Sequence, residues 1–305
     1  MLLLTFETCH PIIILMMEMI KSKHNKSELK KWLGFFPFLL FCLAFEFIPI
    51  LFLIRGSFID KTTQGFTIAH YQAMSRTVYI NSFLNSIKIS GLTAIIGVIL
   101  GTLIGYAIYR WPSESLKNAL ISLSDVTTNF SGAPLAFSFI IILGMNGVIT
   151  QFLFKYFNYE LYPGFSIYSF SGLALAYVYF QLPLMVLIII PAFVGIRKEW
   201  QESAESMGAN NFQFWRFIGI PILGPSLLAG LTLLFANAYG AYATAFTLVE
   251  SQLSLVTLQI GFMIAGEVRH DPGVGMAMAV LSLFIMGLSI AIYQIATTRV
   301  RRWSK

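Results

Sequence analysis

Apolar runs far longer than any soluble strand dominate this chain. Six of them lie near Trp32–Ile54, Asn81–Tyr109, Lys117–Gly144, Ser171–Gly195, Ile222–Leu248 and Gly273–Thr297. Each offers the roughly 20 mostly apolar residues that a helix needs to cross a bilayer. Lipid leaves only helices and closed barrels with a satisfied backbone, and these runs are too long and too uniformly apolar for barrel strands. The pattern therefore predicts an all-α polytopic membrane protein with six transmembrane helices, its membrane domain occupying residues 32–305. A seventh apolar stretch opens the chain, but Glu7, His10, Pro11 and Glu18 interrupt it. Residues 1–31 read as a cytoplasmic or interfacial tail, or as a mis-called start with the true one at Met16, Met17 or Met19.

Composition agrees with a lipid environment. The chain is 57% hydrophobic and 11% charged, whereas soluble domains carry about 25% charged residues. The net charge of +6 is explained by topology without invoking nucleic acid. With six spans and the N-terminus inside, the cytoplasmic side collects Lys21, Lys23, Lys26, Lys30, Lys31, Arg110, Lys117, Arg197, Lys198, Arg216, Arg299, Arg301, Arg302 and Lys305. The other side receives Arg55, Lys61, Arg76, Lys155 and Arg269, and Lys88 falls within a span. Basic residues mark the cytoplasmic side, so both termini are expected there. Cys9 and Cys42 lie in no metal-ligand or disulfide spacing, and His270 has no second histidine or cysteine nearby. No metal and no cofactor is expected.

The cytoplasmic segment 197–221 holds most of the candidate chemistry. Glu199, Glu202 and Glu205 recur every three residues and give a short helix an acidic side, with Trp200, Ala204 and Met207 as its apolar side. Gly208 is placed to end that helix. Asn210 and Asn211 can cap a second one, amphipathic through Phe212, Phe214, Trp215, Phe217 and Ile218 until Pro221 and Pro225 start the next span. Two short helices joined at a glycine would form a compact knob. A helix lying on lipid would carry Lys and Arg on its polar face, so the glutamates point to a protein partner instead.

The spacing Glu202-Ser203-Ala204-x3-Gly208-x9-Ile218-x-Ile220-Pro221 resembles the EAA loop of binding-protein-dependent ABC transporter permeases, whose pattern is Glu-Ala-Ala-x3-Gly-x9-Ile-x-Leu-Pro. Ser203 and Ile220 depart from it; the glutamate, glycine and proline are kept. Thr67–Tyr71 (TIAHY) and Asn81-Ser82 extend the similarity across most of the chain, outside the first 31 residues, and the overall pattern is most similar to the spermidine/putrescine-type permeases. The resemblance implies the type I importer permease fold in a bacterial plasma (inner) membrane. It also implies a cytosolic ABC ATPase dimer, a second permease subunit that is either a copy or a sibling, and an extracytoplasmic solute-binding protein. By the same analogy Glu202 would contact basic ATPase residues, Gly208 would form the bend, and Ala204 and Met207 would seat in the ATPase cleft. No Gly-x4-Gly-Lys-Ser/Thr phosphate loop is present, so ATP hydrolysis would fall to the partner and the chain itself is not an enzyme. A polyamine is the first cargo the resemblance suggests, with iron, phosphonate or thiamine as alternatives.

Polar and small residues within the spans carry the remaining candidates. Gly97, Gly101 and Gly105 line one helix face at four-residue spacing, which serves close packing or a subunit interface. Glu46 and Lys88 are ionisable groups in lipid, expected to pair with each other, or in the case of Glu46 to attract a cation. Asp125, Thr127, Thr128, Asn129 and Ser131 make part of the third span polar, suited to a water-lined pathway or to hydrogen bonds between helices, or else a sign that the span boundary lies elsewhere. Asn237, Tyr239, Tyr242 and Thr244 are a second set for which pathway lining and packing both stand. A channel or an ion-coupled secondary transporter is the competing class, but it leaves the EAA pattern unexplained.

Overall fold

The computed structural model describes residues 36–303 apart from 61, 62, 64, 251 and 267–270. The tail 1–31, the start of the first span at Trp32, and His270 lie outside the described residues. In chain order the helices are α1 (Phe36–Ser57), α2 (Ala69–Ala73), α3 (Thr77–Arg110), α4 (Glu114–Asn129), α5 (Ala133–Leu143) and α6 (Val148–Phe157). There follow α7 (Phe170–Val194), α8 (Lys198–Ser206), α9 (Asn211–Tyr239), α10 (Tyr242–Val249), α11 (Val256–Ala265) and α12 (Pro272–Trp303). Among the described residues, six stretches are long and apolar enough to cross a membrane: Phe36–Ser57, Thr77–Arg110, Ala133–Phe157, Phe170–Val194, Asn211–Tyr239 and Pro272–Ile295. The chain is a multi-pass membrane protein.

Contacts divide it into two compact units, one formed by residues up to Ser75 with Ile260–Ser282, the other by Arg76–Gln259 with Leu283 onward. In the first unit, α1 contains a π-helical turn at Leu43–Phe47 and exposes Phe41, Phe45, Leu51 and Phe52, as a lipid-facing helix does. Beyond it the Ser57 hydroxyl donates to Ile54 O (2.7 Å) and lies 2.9 Å from the Tyr71 hydroxyl. Phe58 stacks on Phe66 at 5.6 Å and tilts against Tyr71 at 5.0 Å.

The second unit is built on α3, α7 and α9. A Cβ at Gly97 would meet Gln181 Oε1 (3.0 Å), one at Gly101 would meet Met185 Cβ (2.5 Å), and one at Gly105 would meet Ile189 Cγ2 (2.5 Å). Both rows step by four residues, so the glycine groove of α3 receives the ridge of α7. Gly230 of α9 abuts the Met185 sulfur from the other side, so this fully buried methionine is held between glycines of two helices. Lipid tails are as apolar as the side chains, so the closeness stabilises through dispersion and not through removal of water. Ala94, Met185, Ile189, Phe193, Leu223 and Leu234 form the core of this unit. The α4 residues Leu120 and Ile121 cover Ile108, Val186 and Ile190.

Helix α3 has 34 residues, about 51 Å at 1.5 Å per residue. The uncharged run between Lys88 and Arg110, Ile89 to Tyr109, spans about 32 Å, close to the hydrocarbon thickness. Lys88, exposed on its helix, and Arg110 bracket it. The three turns from Thr77 to Lys88 hold residues 254–256. Asn85 Nδ2 donates to Ser254 O (3.1 Å), the Ser254 hydroxyl to Val78 O (3.4 Å), and the Val256 N–H to Ser86 Oγ (2.9 Å).

Three boundaries differ from the hydropathy reading. The third span is not one helix over 117–144. The chain breaks between Asn129 and Ala133, where Gly132 takes φ +75 and ψ −149, a backbone that glycine alone adopts without strain. Pro134 then enters the first turn of α5, where its missing N–H costs nothing. The apolar stretch of crossing length is Ala133–Phe157, carrying a turn between α5 and α6. Part of the expected loop 145–170 is thus helical, and so is Val256–Ala265 within the expected loop 249–272. The fifth span is Asn211–Tyr239, not Ile222–Leu248. Pro221 and Pro225 lie inside it because a π-helical turn at Trp215–Gly219 precedes them, and the helix ends at Gly240 before α10 begins.

Candidate functional site

The knob at 197–221 is formed by α8, a glycine turn and the first turns of α9. Helix α8 closes with Gly208 N–H donating to Glu205 O (2.9 Å) and Ala209 N–H to Ala204 O (3.0 Å). Gly208 takes φ +81, the left-handed value such a helix end requires and that side chains resist. Asn210 then starts α9 with a reciprocal capping box: its Oδ1 accepts from the Gln213 N–H and the Gln213 Oε1 accepts from its own N–H, both at 2.8 Å. That box satisfies two orphan donors of the new helix. The second arm of the knob runs without interruption into the membrane span, so α9 carries both.

Glu202, Ser203, Glu205 and Gly208 are exposed. Met207 is 81% exposed, Phe212 71% and Phe217 69%. Lys198 Nζ stands 3.8 Å from Glu202, and Gln201 Nε2 donates to Glu205 at 2.9 Å. Ala204, by contrast, is 2% exposed. The resemblance places Ala204 together with Met207 in a partner's cleft, but the fold turns Ala204 inward and leaves Met207 as the free apolar side chain. Ile218 is half-buried at the π turn, while Ile220 and Pro221 are exposed.

The two sets of polar membrane residues meet through the breaks that follow and precede them. Along α4 the Ser124, Thr127 and Thr128 hydroxyls and the Asn129 amide bond back to backbone carbonyls three or four residues earlier, which satisfies these groups within the helix. Asp125 and Asn129 remain exposed. At the break Thr244 of α10 donates to Gly132 O (3.3 Å). The Tyr177 hydroxyl of α7 donates to Ala241 O (3.0 Å), in the break between α9 and α10. Tyr239 is buried, Asn237 half-buried and Tyr242 exposed, with the Tyr242 ring stacked on Phe246 at 5.5 Å. Neither α5 nor α10 has a side-chain cap; at α10 the Tyr242 N–H donates to Gly240 O (2.9 Å), and at α5 Pro134 has no N–H to offer.

Glu46 sits in the π-helical turn of α1, half-buried, and belongs to the first unit; Lys88 belongs to the second. Gln181 carries no periodic signal in the sequence, but it is a polar centre of the three-helix core. Fully buried, it donates from Nε2 to Thr93 Oγ1 (3.1 Å) and Leu234 O (3.4 Å), and its Oε1 is left without a hydrogen-bond partner.

Comparison with known proteins gives this geometry its class. The chain has the fold of ABC importer permeases: a bacterial alginate ABC transporter structure superposes with a TM-score of 0.73 over 92% of this chain and 98% of that one, at 16% identity. A second structure, with a TM-score of 0.71, 16% identity and coverage of 92% and 96%, shows a bacterial alginate ABC transporter in complex with an alginate pentasaccharide-bound periplasmic protein.

Sequence similarity points to particular transport systems. A probable sulfate transport system permease protein, cysT, from Helicosporidium sp. subsp. Simulium jonesii is 27% identical over 68% of this chain and 74% of its own length. The putative ferric transport system permease protein FbpB 1 of Haemophilus influenzae is 23% identical over 84% of this chain, which spans 40% of that protein. No family model matches the chain. These relatives give no support to a polyamine as cargo.

Proposed function

We propose that this chain is the permease subunit of an ATP-driven importer, non-catalytic itself, in a bacterial inner membrane with both termini in the cytosol. The carrying observation is the knob: an exposed acidic and aromatic surface, bent at Gly208 and continuous with a membrane span, on a chain with the fold of ABC importer permeases. Glu202, Glu205 and Met207 offer charge and an unsatisfied apolar side chain to an ATPase subunit, the combination a docking hot spot uses. A solute-binding protein on the opposite face and a second permease complete the assembly. Asp125, Asn129, Asn237 and Tyr242 line the pathway where helices are interrupted, since irregular backbone at membrane depth is tolerated beside a water-filled cavity.

For the cargo, the similarity to sulfate permeases favours a tetrahedral oxyanion. Ferric iron is the second reading, resting on the ferric relative.

Co-expression with the cognate ATPase tests the assignment. Wild type should copurify with the ATPase and support uptake, and Glu202→Arg should lose both. Retention of copurification and uptake by Glu202→Arg refutes the docking role. Labelled sulfate and labelled iron, supplied separately, decide the cargo; sulfate uptake that does not depend on this chain sinks the oxyanion reading.

A further inference from the structure

An aromatic cluster sits where the knob enters the membrane domain. Tyr106 and Tyr109 come from the end of α3, Phe193 from the end of α7, and Phe214 and Trp215 from the start of α9. The Trp215 ring meets the Tyr106 ring edge-on at 5.3 Å and 88°, and Phe193 at 6.3 Å and 78°. Phe193 is also 5.5 Å from Tyr106 and stacks on Tyr109 at 5.7 Å. Phe214 packs against Trp215 at 5.7 Å. Phe193 and Phe214 are buried. Rings at these separations and angles interlock by shape and quadrupole.

Trp215 also opens the π-helical turn, and Gly219 closes it directly beneath the indole, where a Cβ would run into Cε3 of the ring. A π turn weakens the regular helical ladder, and such turns recur at functional positions. By itself a turn of this kind would let the knob swing while the span stayed still. The cluster removes that freedom, because the indole is wedged between two other helix ends.

We propose that Trp215, seated on Gly219 and gripped by Tyr106 and Phe193, is a positioning residue that transmits displacement of the 197–214 knob to α3 and α7 as well as to its own helix. The proposal rests on the reading of the knob as an ATPase-docking element, and it assigns to Trp215 transmission and not docking. Glu202 and Met207 meet the partner; Trp215 carries the movement onward. Rigid-body switching of packed helices needs such a connection, since a small shift at one site is amplified only through elements that cannot deform independently.

The test uses the full transporter, with the permease reconstituted into proteoliposomes beside its ATPase and binding protein. Three quantities are read: ATPase copurified, ATP hydrolysed, and solute translocated per ATP. Trp215→Leu, which removes the wedge, and Gly219→Ala, which displaces it, should keep copurification within about twofold of wild type and lower solute per ATP by about tenfold, a shift of about 1.4 kcal/mol between the barriers of the productive and futile cycles. Trp215→Phe, which retains a ring, should recover most of the coupling. Unchanged solute per ATP in both Trp215→Leu and Gly219→Ala overturns the proposal. Loss of copurification in both also overturns it, placing Trp215 on the docking surface. If Trp215→Leu does not accumulate, Gly219→Ala and Trp215→Phe decide on the same readouts, and failure of all three to accumulate makes the cluster a folding element only. Glu202→Arg, measured in parallel, separates the two ideas: if it copurifies and transports normally, the docking reading has failed, whereas a defective Glu202→Arg beside a fully coupled Trp215→Leu means that only the wedge has failed.

Discussion

Alanine at Gly101 should destabilise the membrane domain, and alanine at Gly91 should not. Both glycines lie in α3, so both substitutions gain the same intrinsic helix preference, about 1 kcal/mol. They differ in what the new methyl meets. At Gly91 nothing lies within 4 Å. At Gly101 the Cβ would stand 2.5 Å from Met185 Cβ, 2.8 Å from its Cγ and 3.2 Å from Leu182 O. Carbon atoms rest about 3.5–4.0 Å apart, so α3 and α7 must separate by about 1 Å or Met185 must leave its position. Met185 has nowhere to go, because Gly230 closes on its sulfur. Overpacking of this kind costs about 1–3 kcal/mol. Since the helix-preference gain is common to both variants, the gap between them isolates the clash and should be about 1–3 kcal/mol, with Gly91→Ala the more stable. Reversible unfolding of the purified permease in mixed micelles, followed by circular dichroism, measures that gap directly. Equal stability of the two variants, or the opposite order, would show that α3 does not approach α7 through its glycine face.

Other consequences are as specific. Thr93→Val keeps the shape of the core but removes the acceptor for Gln181 Nε2, and should cost about 0.5–1.7 kcal/mol in the same unfolding assay; no loss would mean that the amide has another partner. Ser86→Ala leaves the Val256 N–H without its acceptor, a change of about 1 kcal/mol, so amide exchange at Val256 should quicken about fivefold in hydrogen–deuterium mass spectrometry. Glu46→Gln and Lys88→Met test the ion pair that the sequence leads one to expect: a coupling of about 0.5 kcal/mol or more between the two single losses supports it, and strict additivity rejects it.

Much of the architecture is legible because membrane spans are written in bulk composition. The six apolar stretches, the helix end at Gly208 and the cap at Asn210 all follow from local rules, each satisfied within a few residues. The break at Gly132 follows the polar run Asp125–Ser131, a signal the chain does carry, whereas the break at Gly240 escapes such reading because hydropathy continues across it. A window average does not register a single backbone angle. Pro221 and Pro225 read as the start of a span, but the π turn before them carries the helix past both. Ala204 lies on the apolar side of its helix and packs inward, where the resemblance would have seated it in a partner. Gln181 and the ring cluster are the hardest to anticipate, since their partners lie on α3 and α9, dozens of residues away. The chain marks these places only by residue types that are ordinary in any membrane helix.

The length of α3 has a mechanical consequence. Its Arg110 end carries Tyr106 and Tyr109 in the ring cluster, and its Thr77 end grips residues 254–256 through Asn85, Ser86 and the Val78 carbonyl. One uninterrupted rod about 51 Å long thus joins both ends. Pivoted near its middle, it behaves as a see-saw: a tilt of about 5° moves each tip by about 2 Å in opposite senses over that length. Motion imposed on one tip is in this way delivered to the other with no relay of intermediate parts.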